Sequence, residues 1–177
     1  GLPQESLLCD TASMYGRMSI LQWLKSHEVP LGDKACKYAA SEGHWEILKW
    51  LHDNGDELNE KVCRHAAAGG HFEILKWCRA NGAPLDRKIC KRAAQGGHFE
   101  ILKWCRANGA PWNKRACELA VQNGHFETLK WLKASGAPLD VDAYCFAAFL
   151  NQFDILKWLM ENHPILDEQI CDGCAQG

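Results

Sequence analysis

The chain has 177 residues, 47% hydrophobic and 24% charged, with 20 Lys and Arg set against 22 Asp and Glu. Such a composition is that of a chain that folds around a core, and its apolar runs stop far short of the roughly 20 residues that cross a bilayer. The opening Gly1-Leu2-Pro3-Gln4 has no charged stretch leading into an apolar one, so no secretion signal is read there.

Tryptophan recurs every 27 residues, at Trp23, Trp50, Trp77, Trp104, Trp131 and Trp158, and no insertion interrupts the series. In chain order the units are residues 4–30 (with Cys9 and Gly16), 31–57 (Cys36, Gly43), 58–84 (Cys63, Gly70), 85–111 (Cys90, Gly97) and 112–138 (Cys117, Gly124). In the sixth unit, 139–165, Tyr144 takes the cysteine slot beside Cys145, and Asn151 takes the glycine slot. A seventh begins at Leu166, carries Cys171 and stops midway at Gly177, so the chain reads as a single repeat domain, 1–177, cut from a longer array.

The clearest unit, 85–111, is punctuated for two helices. Asp86 is placed to accept backbone N–H bonds as an N-cap, Cys90, Ala93 and Ala94 follow at one-turn spacing, and Gly96-Gly97 ends the first helix. His98 opens a second segment whose Ile101, Leu102 and Cys105 form an apolar stripe, until Asn108-Gly109 stops it and Pro111 keeps the linker extended. Neither short helix buries its stripe alone, so the units must stack, and stability becomes a sum over neighbours.

The string Ala93-Ala94-x-x-Gly97-His98-x-Glu100-Ile101-Leu102, closing on Gly109-Ala110, resembles the ankyrin repeat, and it recurs at 39–48, 66–75 and, less fully, 120–129. The resemblance implies an all-α chain, an α-solenoid of stacked helix-turn-helix units. Two departures stand out. The box that opens the family's first helix is absent here, Cys90 standing for its leucine, and each unit is about six residues short of the family's 33. The missing piece is the projecting β-hairpin finger, so only the helix face is left for binding. This short, Trp- and Cys-containing variant resembles arrays found in giant viruses, algae and oomycetes. The family implies a protein partner.

The residue types that carry chemistry are better explained by the repeat. Cysteines equivalent in successive units stand about 8–10 Å apart, the spacing of packed helices, which is too far to share a metal or form a disulfide. They read as small buried hydrophobes, all ten thiols are expected free, and a reducing, cytoplasmic compartment follows. Cys171-x-x-Cys174 is the periodic cysteine with one more in the slot of Ala93, not a metal motif. His44, His71, His98 and His125 sit in the same Gly-His turn, without a recurring nucleophile or carboxylate partner. No catalytic site, metal or cofactor is therefore expected.

Charge is where the units differ. Residues 58–138 hold 14 Lys and Arg against 6 Asp and Glu, and the excess lies largely on the first helices. Lys61, Arg64, Lys88, Lys91, Arg92 and Arg115 are the expected binding residues, with an acidic segment of a partner protein as their ligand. Nucleic acid is the alternative; the acidic flanks and the sequence pI near 6.5 argue against it.

Overall fold

Every 27-residue unit of the computed structural model folds as two short helices joined at a glycine turn, or at Asn151 in the sixth; residues 3–32, 34–112 and 115–163 are described. The first helices are α1 (Pro3–Met14), α3 (Ala35–Glu42), α5 (Glu60–Gly69), α7 (Arg87–Gln95), α9 (Arg115–Gln122) and α11 (Asp142–Phe149). Their second helices are α2 (Met18–Ser26), α4 (Trp45–Asp53), α6 (Phe72–Ala80), α8 (Phe99–Ala107), α10 (Phe126–Ala134) and α12 (Phe153–Asn162). No strand occurs among the described residues, as the missing fingers required. The expected seventh first helix falls in 166–177, outside the described residues.

Two compact units are distinguished, Gly1–Ile89 and Cys90–Gly177, and the boundary falls inside α7. In the first, α1, α3 and α5 lie side by side, each backed by its own second helix. In the second, α9 lies against α11, with α10 and α12 behind them. The core of both is what the period marked. Cys9, Cys36, Cys63, Cys90 and Cys117 are buried, as are Ile47-Leu48, Ile74-Leu75 and Ile101-Leu102.

The turn between the two helices shows why the sequence repeats Gly-His. Gly43 sits at φ +78°, in the left-handed region that glycine enters without cost, and a Cβ there would lie 2.5 Å from the His71 ring of the following repeat. That ring fills the space and points Nε2 at the carbonyl of Ser41, 2.9 Å away. His125 does the same to Gln95 O at 3.1 Å, and His44 to Met14 O at 3.1 Å. Each histidine thus satisfies an orphan carbonyl at the end of the preceding first helix. It is a structural clamp.

The tryptophan column is a contact between repeats, half-buried rather than enclosed. Trp77 meets Trp45 at 5.8 Å, Trp131 meets Phe99 at 5.6 Å, and Trp158 meets Phe126 at 5.8 Å, always the aromatic that opens the second helix one repeat earlier. Lysines lie over the rings that open the second helices. Lys76, Lys103 and Lys130 lie 4.7, 4.6 and 4.1 Å over Phe72, Phe99 and Phe126 and pair with Glu73, Glu100 and Glu127.

The thiols depart from expectation in one place, at Cys145. Cys63 and Cys78 of one repeat share a side-chain hydrogen bond, which together with burial pushes the Cys78 thiol up. Seven described cysteines are free, but Cys145 is disulfide-bonded, which corrects the expectation of ten free thiols. The reason is register: Tyr144 takes the buried slot, and Cys145, one position on, is only half-buried.

Candidate partner-binding residues

Helix α7 reads Arg-Lys-Ile-Cys-Lys-Arg-Ala-Ala-Gln, four cations and no carboxylate. Ile89, Cys90, Ala93 and Ala94 turn inward and are fully buried, which leaves Arg87, Lys88 and Arg92 exposed and Lys91 half-buried. Arg87 and Lys91 stand four apart, as do Lys88 and Arg92. Like charges at that spacing destabilise a helix by about 0.2–0.5 kcal/mol a pair. The N-terminus of α7 is held by Asp86, whose Oδ1 accepts the Lys88 N–H at 3.1 Å.

Arg64 is not a free cation on that surface. Its Nη2 meets Asp86 Oδ2 at 2.7 Å, its Nε meets Oδ1 at 3.1 Å, and Glu60 lies 3.5 Å from the same Nη2. The forked bond to Asp86 raises the guanidinium's pKa above its ordinary value. Asp86 therefore joins α5 to the start of α7, and only 19% of the Arg64 side chain is exposed. Reversing the charge of Arg64 would therefore cost stability as well as any binding, unlike reversal at an exposed cation. Lys61, on the same helix, is exposed.

In the second unit Arg115 is exposed but engaged, its Nε 3.1 Å from Glu118 Oε2. Arg92 is exposed, with Nη1 bonded to Gln95 at 3.0 Å. Other cations of the basic centre serve the loops that end the second helices. Arg79 donates to Ala83 O at 3.4 Å, Arg106 to Ala110 O at 2.5 Å and Lys133 to Ala137 O at 3.4 Å. So the sequence overcounted the charge available to a partner, because the carbonyl that engages each cation lies in the loop four residues on.

One cluster went unread. Glu118, Asp140 and Asp142 bring carboxylate oxygens within 4.8 Å of one another, with Glu118 buried. The signal was present, since Glu118 and Asp140 occupy the slots of Arg64 and Asp86 and turn an opposite-charge pair into a like-charge one. Arg115 answers it with the bond to Glu118.

The family model described as Ankyrin repeats (many copies) matches residues 63–104 and 89–133. No curated protein matches the sequence. Among solved structures, the chain is similar to the human ASB11 ankyrin repeat domain, at 19% identity and a TM-score of 0.68 over 90% of this chain and 85% of that one. At that identity the likeness speaks for the fold alone. Residues 63–133 thus match the ankyrin-repeat family, and the same 27-residue register runs on uninterrupted to either side of them.

Proposed function

We propose that this chain is a protein-interaction scaffold whose basic first helices hold an acidic segment of a partner. Ankyrin repeats are in general protein-interaction scaffolds, and the observation that carries the finer reading is α7, a nine-residue helix with four cations and no carboxylate of its own. Lys88, Lys91 and Arg92 on α7 lead the binding set, and Lys61 on α5 and Arg115 on α9 complete it. Arg64 acts through Asp86, fixing the start of α7, and is a positioning residue. Repulsion within α7 costs stability in the free protein, and a bound carboxylate-rich segment offsets it. A reducing, cytoplasmic setting belongs to this reading: the seven free, buried thiols support it, and the Cys145 disulfide counts against it.

The test is co-precipitation from lysate with the wild-type chain beside a Lys61→Glu, Lys88→Glu, Arg92→Glu triple variant, followed by mass spectrometry. Proteins with acidic segments are expected with the wild type and lost with the variant. Recovery of the same proteins by both would overturn the reading, and recovery dominated by nucleic acid would put the alternative in its place.

A further inference from the structure

The third, fourth and fifth repeats close on Gly-Ala-Pro, at 82–84, 109–111 and 136–138, and the alanine is buried each time: Ala83, Ala110 and Ala137. The second repeat departs from this. Its residues 55–57 read Gly-Asp-Glu, so a carboxylate stands in the slot of a buried methyl group. Asp56 Oδ2 is buried and has no hydrogen-bond partner. An oxygen left in that state costs stability that alanine in the same slot does not.

Asp56 lines a cavity of about 280 Å³ between the second and third repeats, together with Cys36 and Lys37 of α3, Glu57 of the linker, and Asn59 and Val62 at the start of α5. The Cys36 thiol donates to the Asp56 carboxylate, and burial, with that negative charge, pushes its pKa up, so it stays a neutral donor. Asn59 Oδ1 is already engaged by the Lys61 and Val62 N–H groups. The lining therefore holds two carboxylates against one ammonium, and Lys37 forms no salt bridge with either of them. Its charge favours a cation. A metal ion is the poorer occupant, because the group of metal-ligating side chains that lies close enough to share one, among the described residues, is Glu118, Asp140 and Asp142 instead. The volume is also several times the roughly 30 Å³ of a water molecule.

We propose that this cavity receives a lysine or arginine side chain of the partner, its charged head on Asp56 with Glu57 at the rim and its methylene stem against Val62. Lys61, exposed and next to Val62 in the chain, is placed for an acidic neighbour of that residue, so the bound segment is of mixed charge. The inference rests on the scaffold reading for there being a partner, and adds one basic residue to its acidic segment.

The test is a titration of the isotope-labelled chain, followed by the NMR shifts of its backbone amides, with Nα-acetyl-lysine methylamide, the arginine equivalent and the uncharged norleucine equivalent. Each is taken to roughly 20 mM, since a single side chain supports affinities near the millimolar range. The lysine or the arginine probe is expected to shift amides within 55–62 and to saturate, with norleucine at least about tenfold weaker. Asp56→Ala, which restores the residue of the equivalent slots, is expected to lose those shifts and to unfold at the same or a higher urea concentration than wild type. Silence with both cations, equal shifts with norleucine, or shifts that persist in Asp56→Ala would each overturn the proposal. So would a lower urea midpoint for Asp56→Ala, which would make the carboxylate a structural group. The probes carry no acidic residue, so these outcomes are independent of whether the basic helices bind an acidic segment.

Discussion

Arg64 and Lys88 carry the same charge, yet substitution should treat them differently. Arg64→Ala removes a forked, charge-assisted bond and leaves Asp86 half-buried without its guanidinium, so it is expected to cost about 1–3 kcal/mol in urea unfolding. Lys88→Ala removes an exposed side chain and should change stability by less than about 0.5 kcal/mol. Equal effects from the two would refute the clamp. The thiols give a second residue-scale prediction. Burial pushes the Cys117 thiol up to about 12 from 9.0, so the folded state holds a proton that the unfolded chain releases. Stability contributed by that neutral thiol is complete below pH 9 and lost as pH rises towards 12, and Cys117→Ala should flatten the decline. In native protein Cys117 is expected to resist alkylation until denaturant is added.

At the scale of the element, the Gly-His turn makes a helix end and a junction between repeats into one device. Gly43→Ala has to place a methyl group where the His71 ring lies, in a left-handed backbone that disfavours alanine by about 1–2 kcal/mol before any clash is counted. Chemical denaturation should show a loss at least that large, whereas Gly82→Ala, where a Cβ would meet nothing, should show only the backbone cost. Similar losses at both positions would mean that the histidine ring moves aside freely. The helices themselves were legible from the sequence because one pattern recurred: Asp86 capped α7 as its position implied, and the Ile-Leu pairs faced inward. The fate of each cation was not legible. Whether an arginine is free depends on what stands 22 residues later in the next unit, aspartate for Arg64 but a second carboxylate for Glu118. Periodicity showed which positions are equivalent, and the departures from it decided the electrostatics.

At the scale of the whole molecule, the proposed binding falls to the helix faces, because the described residues hold no strand that could form a finger, and the charge pattern picks out the helices proposed for it. Residues 58–138 carry the basic excess, but Arg79, Arg106, Lys133, Arg64 and Arg115 are each engaged by a carbonyl or carboxylate within the fold. The exposed cations of α7, with Lys61 on α5, are what the sequence signal retains once these are set aside. The most direct measurement is fluorescence anisotropy with a labelled Asp- and Glu-rich peptide at physiological salt, comparing wild type with the Lys61→Glu, Lys88→Glu, Arg92→Glu variant and running a random-sequence DNA duplex alongside. The account predicts that the peptide binds wild type at least about tenfold more tightly than the variant, a difference of about 1.4 kcal/mol, that this gap narrows as salt screens it, and that the duplex binds more weakly than the peptide. Equal affinity of the two proteins for the peptide, or a duplex that binds wild type as tightly as the peptide does, would contradict it.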